Sequence, residues 1–84
     1  GARQTVNFEK DELIEAIHYS HLRGKRFYLT VNTLLKEKEL EKEVFDYLLP
    51  AYQAGLDAAI VQDMGVLLFL RHNFPQLPVH AAHR

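Results

Sequence analysis

The stretch Ala58-Ala59-Ile60-Val61-Gln62-Asp63 decides the fold. Its first four residues form an uninterrupted apolar run of strand length, which is typical of a strand covered on both faces of a parallel sheet. Gln62 and Asp63 follow directly at the carboxyl end of this run, where α/β proteins collect the loops that build their sites. The stretch therefore predicts an α/β protein with polar residues at the edge of its sheet.

Two more strands are predicted outward from this run. Phe27-Tyr28-Leu29-Thr30-Val31 is rich in aromatic and β-branched residues and predicts a buried strand. This strand is expected to end at Asn32-Thr33. On the carboxyl side, Pro75 and Pro78 bracket a turn, after which Val79-His80-Ala81 predicts a third, short strand. The three strands are separated by segments that are too long for hairpins.

Those segments, and the one before the first strand, have helical periodicity. Asn7 is expected as the N-cap of the first helix, and Gly24 and Gly55 as the residues that end the first two helices. Pro50 lies within the second helix, where its missing N–H predicts a kink. We expect helices at about Glu9–Arg23, from Lys36 to near Gly55, and at Met64–Asn73.

The predicted order is therefore α-β-α-β-α-β, with three parallel strands alternating with three helices. Such a chain could belong to a (βα) barrel or to a doubly wound sheet, and the absence of a glycine-rich phosphate loop favours the barrel. A complete barrel takes about 250 residues, whereas this sequence has 84. We therefore expect residues 1–84 to be a single fragment of a larger barrel-like domain, whose open sheet edges lead to self-association.

Composition excludes several classes of function for these residues. Ten Lys and Arg against eleven Asp and Glu give a formal charge of −1, so the total charge implies no attraction to nucleic acid or anionic lipid. With no cysteine, the chain can hold no disulfide, thiolate metal site or catalytic thiol. No apolar run approaches the length of about 18–20 residues that a membrane span needs. We expect a cytoplasmic protein with no membrane contact.

Polar residues at the carboxyl ends of the predicted strands are the candidates for chemistry. We expect Asp63 and His80 to be catalytic, and Asn32, Thr33 and Gln62 to contact substrate. A carboxylate and an imidazole at one rim could share a proton or activate a water. The structural alternatives are that Asp63 caps the next helix and that His80 is a hydrogen-bonded core imidazole.

The remaining histidines and the one serine carry weaker signals. His18 and His21 lie three residues apart on a helix, a spacing that a metal pair could use, but no further ligand follows at a motif spacing, and we predict no metal site. Ser20 lies mid-helix without the strand–turn–helix context that a nucleophilic serine needs.

Several stretches resemble the collagenase-like peptidases, the U-class family whose catalytic type is unassigned. The most specific are Tyr28-Leu29-Thr30-Val31-Asn32-Thr33 and Ala54-Gly55-Leu56-Asp57-Ala58, which runs on into Ile60-Val61-Gln62-Asp63-Met64-Gly65. The similarity also includes Asn7-Phe8, Glu12-Leu13, Glu15-Ala16-Ile17, His21-Leu22-Arg23-Gly24-Lys25, Asn73-Phe74-Pro75 and Leu77-Pro78-Val79-His80-Ala81. Together these stretches cover nearly the whole chain in order.

The resemblance implies an internal part of an N-terminal barrel-like domain, supplying roughly its third, fourth and fifth strands. Arg3 would then end the loop after the second strand and could contact an anionic group on the substrate. Two features depart from the family pattern. Ala82-His83-Arg84 stand where the family usually has Ser-Thr-Gln, and the family's cysteine-containing segment is absent.

The resemblance implies two kinds of enzyme. The first is a protease, acting on a peptide through Asp63 or His80 as general base. The second hydroxylates RNA bases or a quinone ring with an iron–sulfur cluster, held by cysteines that this sequence lacks. A third interpretation is a non-catalytic, self-associating scaffold unit, and we expect the isolated 84 residues to be inactive because too few loops surround the rim.

Overall fold

A computed structural model describes residues 9–82 and confirms the α/β fold. Every predicted helix and strand is present, with boundaries shifted by at most two residues. The elements are α1 (Lys10–Leu22), β1 (Tyr28–Val31), α2 (Lys38–Gln53), β2 (Ala58–Val61), α3 (Met64–Asn73) and β3 (Val79–Ala81).

The N-terminal cap of α1 differs from the prediction. Glu9, rather than Asn7, holds the N-cap position, and its N–H donates to the carboxylate of Glu12 at 3.2 Å. This hydrogen bond satisfies a backbone donor at the start of the helix that would otherwise be unpaired. Asn7 itself lies outside the described residues.

Helices α1 and α2 end in the same motif. Gly24 and Gly55 both have positive φ, +73° and +104°. After each glycine the next N–H returns to the helix: Lys25 donates to the Ser20 carbonyl at 2.8 Å and Leu56 to the Ala51 carbonyl at 3.0 Å. These are Schellman caps, which satisfy orphan carbonyls and turn the chain toward the following strand. In α2 the helix continues through Pro50 to Gln53.

The three strands form a parallel sheet in the order β1-β2-β3. The register aligns Thr30 with Ile60, and Ile60 with His80. Because neighbouring strands follow one another along the chain with no reversal of order, the sheet has the arrangement of consecutive βα units in a barrel.

All three helices contribute to one core on one face of the sheet. Leu29, Val31 and Val61 project toward this core, because alternate residues of a strand point to opposite faces. At its centre Phe74 is 1% exposed, with its ring centroid 5.1 Å from those of Phe45 and Tyr52. The other core residues on the helices include Leu13, Ile17, Leu48, Ala51, Val66, Leu67 and Leu70.

The opposite face of the sheet carries no helix within the described residues. We call it the helix-free face and define it by Tyr28, Thr30, Ile60 and His80. Tyr28 is 53% exposed, and Thr30 and His80 are exposed as well. The expectation that β1 is a buried strand is therefore wrong for this chain, because only its alternate residues meet the helices. In a closed barrel this face would point into the interior.

Among the described residues, no helix has the length and apolar character required to cross a lipid bilayer.

Candidate functional site

A small cleft lies at the carboxyl ends of β1 and β2. Its volume is about 130 Å³, and the residues that line it are Asn32, Thr33, Leu34, Gln62 and Asp63. Four of these were selected from sequence alone. They meet because parallel neighbouring strands end at the same edge of the sheet, so the residues that follow each strand come together.

Asp63 has a defined structural task within the cleft. It is the N-cap of α3, and its Oδ2 accepts a hydrogen bond from the N–H of Val66 at 2.9 Å. A side chain at Gly65 would place its Cβ only 2.9 Å from this same oxygen, so the absence of a side chain there leaves room for the cap. The structural alternative for Asp63, that it caps the following helix, is confirmed.

The remaining polar side chains of the cleft are neutral and available to hydrogen-bond a ligand. Asn32 and Gln62 are exposed, and Thr33 is partly buried. Within residues 9–82, none of their side chains makes a hydrogen bond to another residue. Each amide carries two donors and an acceptor, and the hydroxyl of Thr33 can do both. The cleft can therefore present donors and acceptors to a polar, uncharged group.

His80 lies elsewhere. It is exposed and on the helix-free face, in register with Ile60 one residue before the end of β2. It is not among the residues that line the cleft. The structure thus brings together Asn32, Thr33, Gln62 and Asp63 and leaves His80 on the adjoining face. Arg3 and His83 lie outside the described residues.

A second polar cluster, missed by the sequence reasoning, lies at the opposite, amino end of the sheet. His21 Nε2 donates to Asp57 Oδ2 at 2.7 Å, and the N–H of Phe27 donates to the same oxygen at 2.8 Å. The Asp57 N–H in turn reaches the Phe27 carbonyl at 3.2 Å. Asp57 thus ties the end of α1 to the starts of β1 and β2. We call His21, Phe27, Gly55 and Asp57 the amino-end junction.

Both electrostatics and packing indicate that the amino-end junction is a stabilising contact. The hydrogen bond from His21, followed by that from the Phe27 N–H, lowers the pKa of Asp57 below the ordinary value for an aspartate. A side chain at Gly55 would place its Cβ 3.1 Å from His21 Cε1, so the imidazole lies directly over this glycine. Here His21 is a structural residue, and the described residues contain no group of three or more His, Asp or Glu that could hold a metal.

One sequence signal could have revealed this contact. His21 and Asp57 are 36 positions apart, yet each lies within a few residues of a Schellman glycine that leads into a strand. Since β1 and β2 are parallel neighbours, the turns that precede them must meet at one end of the sheet.

Comparison with known proteins places the chain in a family. The model of peptidase family U32 matches residues 1–83. The chain belongs to this family. It is 34% identical over 82 residues to a 23S rRNA 5-hydroxycytidine synthase of Escherichia coli. The aligned segment covers 98% of the chain and 12% of that protein.

Two further relatives extend the comparison. A protease of Methanocaldococcus jannaschii, described as uncharacterized, is 41% identical over 78 residues, covering 90% of the chain and 18% of that protein. The tRNA hydroxylation protein P of E. coli is 34% identical over 73 residues, covering 87% of the chain and 16% of that protein. The chain thus spans less than a fifth of the length of each of these three U32 relatives. No solved structure matches it.

The residues present do not fit the iron–sulfur cluster that the family resemblance implied. The sequence has no cysteine to supply a thiolate. A cluster in a U32 protein that contains this chain would need ligands from other parts of the polypeptide.

Proposed function

We propose that this chain is part of a U32 enzyme that hydroxylates bases of RNA, and that the carboxyl-end cleft contacts the substrate. The observation that carries the proposal is the pair of available side-chain amides, Asn32 and Gln62, at the edge of the sheet. The names of two relatives, an rRNA hydroxycytidine synthase and a tRNA hydroxylation protein, supply the reaction class.

The chemistry of the cleft suits a nucleobase. The edges of bases carry neutral donors and acceptors in fixed positions, and a side-chain amide can pair with both kinds. A volume of about 130 Å³ is well below the roughly 300–1,000 Å³ of a site for a drug-sized ligand. We therefore assign the cleft contact with one edge of the substrate, through Asn32, Thr33 and Gln62. The remaining wall of the site would come from other βα units.

In this proposal Asp63 is a positioning residue. Its carboxylate fixes the first turn of α3 and thereby the loop that carries Gln62. His80, on the helix-free face, would line the barrel interior beneath the cleft rather than pair with Asp63.

Peptide hydrolysis is the second candidate, and the 41% identity to the archaeal protein named as a protease favours it. In that mechanism Asp63 or His80 would activate a water. The cap engages one oxygen of Asp63, and His80 is absent from the cleft lining, so this geometry gives less support to a shared proton between them.

The two candidates are separated by one experiment on the complete natural protein. Total RNA from a strain that lacks the gene is digested to nucleosides and examined by mass spectrometry. We expect one nucleoside heavier by a single oxygen atom to disappear and to return when the gene is restored. An unchanged nucleoside profile, together with cleavage of peptides by the purified protein, would overturn the proposal in favour of hydrolysis.

We also propose cytoplasmic RNA as the partner of the complete protein.

We further propose that the isolated 84 residues self-associate through the helix-free face. An uncovered parallel sheet is unusual, and Tyr28 on this face is 53% exposed. Light scattering of the isolated chain at tens of micromolar should give a mass above that of the monomer. A well-folded monomer would contradict the self-association.

A further inference from the structure

The charge of the chain is unevenly distributed. Residues 18–28 contain Arg23, Lys25 and Arg26 and no Asp or Glu. The helical turns before this segment and the first turns of α2 instead carry more carboxylates than basic groups. The total of −1 therefore conceals a basic segment at the junction of α1 and β1.

The Schellman cap presents these charges to solvent. Gly24, at φ +73°, reverses the chain after α1, and residues 21–26 are all exposed. Arg23 is at the C-cap, where a cation is favoured by the helix dipole. Lys25 and Arg26 lie beyond the helix, so the dipole does not account for them.

None of the three cations takes part in a salt bridge within the described residues, and of the three only Arg26 contributes, as a minor charge, to the low pKa of Asp57. The Arg23 guanidinium lies 5.4 Å from the centroid of the Tyr19 ring, and Tyr19 is 62% exposed. Leu22 beside them is 87% exposed. Exposed cations next to exposed aromatic and apolar side chains are the combination that protein surfaces use to hold nucleic-acid backbones and bases.

We propose that Tyr19, Leu22, Arg23, Lys25 and Arg26 form a basic–aromatic surface that binds the phosphate backbone of the RNA substrate. The inference rests on the proposed function for the choice of RNA over other polyanions. The cations would neutralise phosphates and release counterions, and the arginine-stacked Tyr19 ring offers a face for a base.

The position of the surface is compatible with one RNA contacting both it and the cleft. The surface precedes β1 and the cleft follows it, so the four residues of β1 separate them. Four strand residues span about 13 Å. An RNA stem carries phosphates at a spacing of a few ångströms along each strand and easily covers this length. The surface would hold the body of the RNA while the cleft meets the base.

The test compares two charge-matched variants of the complete natural protein. Arg23→Gln/Lys25→Gln removes two charges from the surface, and Lys36→Gln/Lys38→Gln removes two from the charge-alternating segment before and within α2. The probe is bulk tRNA, with binding measured over a series of salt concentrations. We expect the surface variant to bind about tenfold more weakly, with a salt slope reduced by about 1–2, while the control keeps both values.

Other outcomes would overturn the inference. Equal losses in both variants would mean that total charge, and not this surface, attracts RNA. Unchanged tRNA binding in the surface variant, with lost binding to phosphatidylglycerol vesicles, would assign the surface to a lipid. Failure of the proposed function is detected separately. In that case the RNA nucleosides are unchanged in the gene-deletion strain, whereas the tRNA-binding difference between the two variants persists.

Discussion

The two ends of the sheet are built differently. At the amino end, one carboxylate oxygen of Asp57 accepts hydrogen bonds from both His21 and the Phe27 N–H, at 2.7 and 2.8 Å. At the carboxyl end, the amides of Asn32 and Gln62 have no hydrogen-bond partner within residues 9–82. The polar groups of the amino-end junction hold secondary-structure elements together, whereas those of the cleft remain available for a ligand.

The same difference is found in (βα) barrels, where residues at the amino ends of the strands stabilise the fold and those at the carboxyl ends form the active site. Two of the stretches that resemble the U32 family, around His21 and around Gly55 and Asp57, therefore need no role in chemistry. They contact each other. Substitutions in the amino-end junction should therefore change stability, and those in the cleft should change activity.

Asp57→Ala should have the largest effect on stability. It removes a charged acceptor from His21 and leaves the Phe27 N–H without its partner, at a cost of about 2 kcal/mol in the free energy of unfolding. Chemical denaturation of the complete protein measures this. Asp46→Ala, at an exposed helical ion pair with Lys42, is the control and should change it much less. Equal effects would remove the distinction between the junction and an ordinary surface.

Gly55→Ala should cost more than Gly24→Ala. Both place an alanine at positive φ, which costs about 1–2 kcal/mol. Only Gly55 also has His21 against it, at 3.1 Å from the added Cβ, whereas nothing lies within 4 Å at Gly24. Thermal unfolding of the two variants tests the prediction. A larger loss for Gly24→Ala would contradict the packing of His21 over Gly55.

The two substitutions Asp63→Asn and Asp63→Ala separate positioning from acid–base catalysis. Asparagine is as good an N-cap as aspartate, whereas alanine loses the bond to Val66 at a cost of about 1 kcal/mol. We expect Asp63→Asn to keep RNA modification and its pH profile, and Asp63→Ala to lower modification by loosening the loop of Gln62. Loss of activity in both variants, with normal stability, would make Asp63 a catalytic residue instead.

Acid should weaken the amino-end junction. Because its partners hold the pKa of Asp57 below the usual value, Asp57 contributes stability that is fully present above the ordinary aspartate range and is lost as the pH falls through the lowered pKa. Unfolding free energies measured below pH 4 should fall less steeply for Asp57→Asn than for the wild type. Identical acid dependence would show that this carboxylate is not stabilised by folding.

Much of this fold is predictable from short-range patterns. Apolar runs marked the three strands, helical periodicity marked the helices, and the need for positive φ explains Gly24 and Gly55. The cleft was also predictable, because a residue directly after a strand must lie at the edge of the sheet. Asp63 before Met64 and Gly65 further allowed its role as a cap to be foreseen.

Contacts between residues that are far apart in the sequence were harder to predict. The bond between His21 and Asp57 depends on how two turns meet, and they are far apart in the sequence. His80 was assigned to the rim from its place in a strand, but the face and level at which it lies depend on the register with β2. A shift by one residue would have moved it to the other face. The exposure of β1 likewise depends on what else covers the sheet.

The most direct test is RNA modification in a gene-deletion strain that carries Gln62→Ala. Loss of one neutral hydrogen bond to the substrate is worth about 1 kcal/mol, so we expect roughly a fivefold to tenfold lower rate of nucleoside hydroxylation at wild-type protein levels. Thermal stability should be unchanged, because Gln62 is exposed and makes no hydrogen bond within residues 9–82. A wild-type rate of hydroxylation in this variant would contradict the cleft as the place of substrate contact.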